Sequence, residues 1–75
     1  MQWNRHNRIA QFLRQARKEA GLTQTAFADK AGVGLRFVRD LEQGKPNLHL
    51  EKVNLLLAFF GHELGPVPLQ KDHEA

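Results

Sequence analysis

The 75-residue chain contains no cysteine, no serine and no tyrosine. The absence of cysteine excludes disulfides and thiolate metal sites, and it suits a reducing compartment. The hydroxyl nucleophiles are therefore limited to Thr23 and Thr25, and the sequence places no general base beside either of them. We expect a protein that is not an enzyme.

Long apolar runs are also missing. No segment approaches the ~20 apolar residues that a membrane-spanning helix needs, and the N-terminal residues 1–6 lack the apolar core of a secretion signal. We therefore expect a cytoplasmic protein with no membrane partner. The four histidines, His6, His49, His62 and His73, lack the spacing of metal ligands, so we expect no metal and no cofactor.

Positive charge is concentrated in the first part of the chain. Residues 5–45 contain nine Lys/Arg and four Asp/Glu, a net charge of +5, whereas residues 46–75 contain two Lys and four Asp/Glu, a net charge of −2. A basic region of this kind is either an ordinary solvated surface or a surface that contacts phosphates.

The spacing of apolar residues predicts an all-α fold of four to five helices, followed by a short extended C-terminal segment. Thr23 has the position of an N-cap, and Gly44 and Pro46 end the third helix. The predicted helices cover residues 4–20, 23–31, 35–43 and 50–60.

Residues 23–45 form the most informative part of the sequence. Two short amphipathic helices flank the tight turn Gly32-Val33-Gly34, and the helix after the turn is basic. This order is typical of a helix-turn-helix that reads DNA. We therefore assign residues 1–64 to a single DNA-binding domain with its reading unit at 23–45.

The fourth predicted helix has more apolar residues than one buried face can use. A buried stripe of ordinary width accounts for five of these residues. Leu55 and Phe59, which are one turn apart, lie outside that stripe. The five stripe residues are Leu50, Val53, Leu56, Leu57 and Phe60. The surplus pair predicts a surface for a partner, unless a terminal segment of the same chain covers it.

Two prolines shape the segment at residues 62–69. Pro66 and Pro68 are two residues apart, so in an extended strand their missing N–H groups fall on one edge. The other edge stays free to pair, which predicts an antiparallel ribbon between two subunits. We assign the dimer or partner surface to Leu55, Phe59, Leu64 and Val67, and residues 70–75 to a flexible tail.

Several motifs occur at family-like spacing: RKEAGLTQ at 17–24, AGV at 31–33 and LEQGK at 41–45. With them, residues 7–64 resemble the XRE/Cro-type helix-turn-helix family, whose fold is a lambda-repressor-like bundle. GLRFVRDLEQGKP at 34–46 and GHELG at 61–65 are most similar to the HipB-like antitoxins. That resemblance implies a bacterial homodimer that binds palindromic operator DNA, represses its own operon and complexes a HipA-like Ser/Thr kinase toxin.

The resemblance also implies roles for single residues. The base-contacting positions of the recognition helix are Leu35, Arg36, Arg39 and Asp40. Gln24 and Lys45 match family positions that contact a phosphate. We assign phosphate contact also to Thr23, Gln43 and Asn47, which flank the reading unit, since the start of the second helix can face a phosphate. Arg17 and Glu42 match a partly buried ion pair that joins the first and third helices. Arg suits guanine, Asp can accept from cytosine N4, and Leu can touch a thymine methyl.

Other readings remain open. Arg36 and Asp40 are four apart and can simply form a surface pair. The chain can also be a stand-alone regulator with no toxin, or a protein-interaction module that has lost DNA binding. The last reading does not explain why Arg36, Arg39 and Lys45 are all basic.

Overall fold

The computed structural model describes residues 7–69, and in this range the chain forms four α-helices and no β-strand. The helices are α1 (Arg8–Glu19), α2 (Gln24–Ala31), α3 (Leu35–Glu42) and α4 (Leu50–Ala58). The all-α prediction is confirmed, and residues 62–69 follow α4 without regular structure. The predicted tail at 70–75, together with His6 and His73, lies outside the described residues.

Side-chain caps define where the first two helices begin. Asn7 has a non-helical backbone, and its Oδ1 accepts hydrogen bonds from the N–H groups of Ile9 (2.8 Å) and Ala10 (3.1 Å). The predicted start at residue 4 is therefore wrong, because Asn7 caps the helix from outside. Thr23 caps α2 in the same way, through a 3.0 Å bond from the Ala26 N–H to Oγ1.

Glycines with positive φ end α1 and α3. Gly44 has a φ of +83°, which lets the Lys45 N–H donate to the Asp40 carbonyl at 3.0 Å. Gly21 has a φ of +72° and ends α1 with the same pattern of bonds. This left-handed ending needs glycine, since other residues rarely adopt that backbone. It folds the residue after Gly44 back over the last turn of α3.

The core draws apolar side chains from all four helices, and Phe27 is among its largest fully buried side chains. The rings of Phe59 and Phe60 lie 5.6 and 5.4 Å from that of Phe27. The buried apolar residues are Ala10, Leu13, Phe27, Ala28, Val38, Leu41, Val53, Leu56 and Leu57. Packing of this core fixes how α2 and α3 meet at the turn.

Two details of α4 differ from the sequence prediction. The helix ends at Ala58 rather than at residue 60, because the chain tightens into a turn in which the Phe60 N–H donates to the Leu57 carbonyl. Leu50 was placed in the buried stripe but is exposed, since it is the first helical residue and lies before the turn that packs on the core.

The segment after α4 folds back onto its own domain. The Leu64 N–H donates to Asn54 Oδ1 at 2.8 Å, and the half-buried Leu64 side chain packs against the core. The His62 ring lies 4.6 Å from the Phe12 ring of α1. Leu64, which the sequence analysis assigned to the dimer or partner surface, is thus half-buried on its own domain. No helix among the described residues is long and apolar enough to span a membrane.

Candidate nucleic-acid interface

A buried carboxylate at the end of α3 joins the helices of the reading unit. Arg17 Nε lies 2.6 Å from Glu42 Oε2, and Arg17 Nη2 lies 3.0 Å from Glu42 Oε1. The Glu42 side chain is 4% exposed and that of Arg17 is 11% exposed. This bidentate pair is a charge-assisted contact of fixed geometry, so it sets how α3 lies on α1.

Neighbouring side chains complete the network around Glu42. The Gln24 Nε2 atom at the start of α2 donates to Glu42 Oε1 at 3.1 Å, and Arg17 Nη1 donates to the Leu22 carbonyl at 2.8 Å. Arg14 Nη1 donates to the Glu42 carbonyl at 2.8 Å. Within residues 7–69, no buried side-chain nitrogen or oxygen lacks a hydrogen-bond partner. The network therefore connects α1, α2 and α3 at one point.

The four positions assigned to base contact do not share one open face. Arg36 and Arg39 are exposed on α3, and the Arg36 side chain is 87% exposed. Leu35 is half-buried and packs against the core, while Asp40 is buried. Of the four, Arg36 and Arg39 are the exposed members. The Gly44 turn brings Lys45 back beside Asp40.

Asp40 lies between two cationic side chains. Lys45 Nζ is 3.4 Å from Asp40 Oδ2, and Arg36 Nε is 3.7 Å from Asp40 Oδ1. Three of the positions named from the sequence thus form one cluster at the end of α3. Together with Arg39, the cluster leaves this end of the domain with net positive charge.

The positions assigned to phosphate contact surround this cluster in sequence. Gln43 and Asn47 are exposed, and Asn47 has a left-handed backbone with a φ of +61°. The Thr23 hydroxyl caps α2, and the half-buried Gln24 reaches Glu42. An amide nitrogen carries two hydrogens. Gln24 can therefore donate to Glu42 and still offer one hydrogen to an anion.

Exposed apolar side chains lie on α4 and on the following segment. Leu55 and Phe59 are exposed on α4, and Val67 is exposed in the segment. Phe59 also contacts Phe27 and Phe60 by ring edges, so part of it belongs to the core. Leu64, the fourth residue assigned to this surface, is half-buried.

Some contributing residues carried no prediction. Arg14 binds the Glu42 carbonyl, and its place one turn before Arg17 was a usable signal. Lys52 Nζ lies 5.9 Å above the Phe37 ring on α3, a contact between distant positions that periodicity does not reveal. No group of three His, Cys, Asp or Glu residues able to hold a metal occurs within residues 7–69.

Comparison with known proteins gives the class of this domain. The helix-turn-helix family profile matches residues 13–65. A Sinorhizobium fredii protein named "uncharacterized HTH-type transcriptional regulator y4mF" is 47% identical over 53 residues, which cover 71% of this chain and 70% of that protein. No solved structure matches the chain. The chain belongs to the XRE-type helix-turn-helix family.

The buried network makes a direct stability prediction. Glu42→Ala leaves the Arg17 guanidinium without its carboxylate, and breaking a buried pair this way costs roughly 3–5 kcal/mol. Glu19→Ala is the matched control, because the exposed Glu19 side chain only accepts a bond from Gln15. We expect it to stay within about 0.5 kcal/mol of the parent. Thermal or urea melts measure both, and equal melts for the two variants would contradict a structural role for the pair.

Proposed function

We propose that this protein is a sequence-specific transcriptional repressor that binds palindromic operator DNA as a homodimer. The observation that carries the proposal is that Glu42 ties the last turn of α3 to Arg17 of α1, while Arg36 and Arg39 of the same helix are exposed. A recognition helix needs both properties, since its side chains must reach base edges from a fixed backbone. The likeness to a protein named as a transcriptional regulator supports the same proposal.

In this proposal the two arginines of α3 read bases in the major groove. Arg36 has a long, exposed side chain, and a guanidinium can donate two parallel bonds to guanine O6 and N7. Arg39 lies one turn closer to the end of the helix. Leu35 contributes the exposed part of a half-buried side chain, which suits contact with a thymine methyl.

Phosphates are contacted on both sides of the helix. The start of α2 offers backbone N–H groups and the positive end of the helix dipole, beside Thr23 and the second hydrogen of Gln24. Gln43, Lys45 and Asn47 follow α3 and face the other strand in this arrangement. Such contacts hold the register of the protein on DNA, and they carry no sequence information by themselves.

The segment at 62–69 supports the dimer part of the proposal. In an extended chain, the Leu64 N–H lies on the same edge as Pro66 and Pro68. This N–H donates a hydrogen bond to Asn54 Oδ1. The N–H groups on the other edge, those of Gly65, Val67 and Leu69, make no hydrogen bond within residues 7–69. This edge is available to a second copy, with Leu55, Phe59 and Val67 as apolar cover.

The antitoxin role is the finer part of the proposal. It rests on the similarity of residues 34–46 and 61–65 to HipB-like antitoxins, and it assigns a HipA-like Ser/Thr kinase as the partner. A stand-alone regulator with no toxin fits the same fold and the same reading face. A protein-interaction module without DNA binding is disfavoured by the exposed Arg36 and Arg39.

The reading assignment predicts two different losses. For a duplex selected by the parent protein from a random library, Arg36→Ala should weaken binding by roughly 1–3 kcal/mol and relax the preference at one base pair. Lys45→Ala should weaken all sequences about equally and reduce the slope of log affinity against log salt. Gel shifts at several salt concentrations measure both effects. Unchanged affinity of Arg36→Ala for the selected duplex would remove Arg36 from the base contacts.

The dimer assignment predicts that the segment after Gly61 is needed for association. A chain truncated after Gly61 should become monomeric, but it also loses the core contact of Leu64. Val67→Lys avoids this problem because Val67 is 65% exposed, and Leu50→Lys is the matched control at 67% exposure. Analytical ultracentrifugation should find both tail variants monomeric and Leu50→Lys dimeric. A truncated chain as tightly dimeric as the parent would refute the ribbon.

The antitoxin assignment predicts a specific partner. When the tagged chain is expressed together with the product of the neighbouring gene, that product should co-purify with it and should phosphorylate protein substrates when freed from the complex. A stand-alone regulator gives DNA binding with no co-purifying kinase. Mass spectrometry of the purified complex and a radiolabelled phosphate assay distinguish the two outcomes.

A further inference from the structure

The cluster at the end of α3 contains a carboxylate with two cations on separate oxygens. Asp40 Oδ2 faces Lys45 Nζ at 3.4 Å, and Asp40 Oδ1 faces Arg36 Nε at 3.7 Å. The Asp40 side chain is only 13% exposed, whereas that of Arg36 is 87% exposed. The acid is therefore the fixed member of the pair, and the arginine is the member that reaches outward.

Several contacts hold Asp40 in place independently of Arg36. Its carbonyl accepts the Lys45 N–H at 3.0 Å, so the Gly44 turn ties the lysine to the same residue twice. Its neighbours Leu41 and Glu42 are both buried. A carboxylate held this way is poorly placed to reach a base edge itself.

The shape of the guanidinium determines which Arg36 donors face Asp40 and which remain for DNA. Arginine carries five N–H donors in a planar fork, one on Nε and two on each terminal nitrogen. With Nε towards Asp40, the four N–H donors on the two terminal nitrogens remain for other partners. Those are the donors that can bond guanine O6 and N7 side by side.

We propose that Asp40 is a positioning residue that holds the Nε side of Arg36 and thereby presents its terminal nitrogens to a guanine. The proposal rests on the DNA-reading function above, and it replaces the reading in which Asp40 accepts a bond from cytosine. A long arginine side chain loses much rotamer freedom when it binds, so a guanidinium that is already oriented loses less. Lys45 offsets the negative charge of Asp40 next to the phosphates.

The sign of the charge makes this role testable. Asp40→Asn removes a negative charge near DNA, so electrostatics alone predicts equal or tighter binding to every duplex. Loss of positioning predicts instead that the preference for the correct base pair falls. The two effects have opposite directions on the selected duplex and can be separated in one titration series.

The experiment uses three duplexes: the one selected by the parent protein, the same duplex with the guanine pair read by Arg36 replaced, and an unrelated duplex. For Asp40→Asn we expect unchanged or higher affinity for the unrelated duplex. We expect the preference for the selected over the replaced duplex to fall roughly five- to tenfold, the lower part of what a bidentate arginine–guanine pair contributes. In an Arg36→Ala background, Asp40→Asn should cause no further loss of preference.

Asp29→Asn is the matched control, because Asp29 is exposed on α2 and its substitution removes the same negative charge. It should leave the preference between the two duplexes unchanged. Two results for Asp40→Asn would overturn the proposal. One is an equal change for all three duplexes, and the other is a further loss of affinity for the selected duplex when Asp40→Asn is added to Arg36→Ala. Failure of the parent protein to select any duplex would instead refute the DNA-reading function.

A second measurement needs no variant and no DNA. Nitrogen-15 relaxation of the arginine Nε–H groups in the parent protein should find Arg36 more ordered than Arg39, for which residues 7–69 offer no carboxylate contact. This measurement tests the proposal even if the Asp40→Asn variant does not fold. Equal mobility of the two side chains would overturn the positioning role and leave the proposed DNA-reading function unaffected.

Discussion

The structure depends on one buried carboxylate, that of Glu42. It accepts two hydrogen bonds from Arg17 and one from Gln24, and the backbone carbonyl of Glu42 accepts one from Arg14. A buried charge without such partners would be strongly destabilising, so the three helices must meet in this arrangement for the domain to fold. Such a pair adds little net stability compared with apolar packing. Its contribution is the orientation of α3.

That orientation has consequences for the exposed side chains of α3. With the last turn of the helix fixed on α1, Arg36 and Arg39 stay exposed, and the Gly44 turn brings Lys45 back beside Asp40. The Gln24 amide then connects the buried network to the start of α2, the proposed phosphate site. A change at Glu42 is therefore expected to disturb both the proposed base contacts and the proposed phosphate contacts, although the Glu42 side chain itself is buried.

Local chemistry was predictable from the sequence, and long-range contacts were not. Thr23 as a cap and Gly44 as a helix end follow from rules that act within a few residues. The spacing of Arg36 and Asp40 predicted their pairing, but it did not reveal that Asp40 is buried or that Lys45 lies beside it. The bond from Leu64 to Asn54 joins positions ten residues apart, and no periodicity marks it.

The most direct test of the central claim is an NMR titration of the nitrogen-15-labelled protein with a duplex that it selects from a random library. The account predicts that the largest shifts fall on Arg36, Arg39 and the flanking residues 23–24 and 43–47. The Nε–H signal of Arg17 should persist unchanged, because the buried bond from Arg17 to Glu42 stays intact when DNA binds. Shifts concentrated on Leu55, Phe59 and the segment at 62–69, with α3 unaffected, would contradict it.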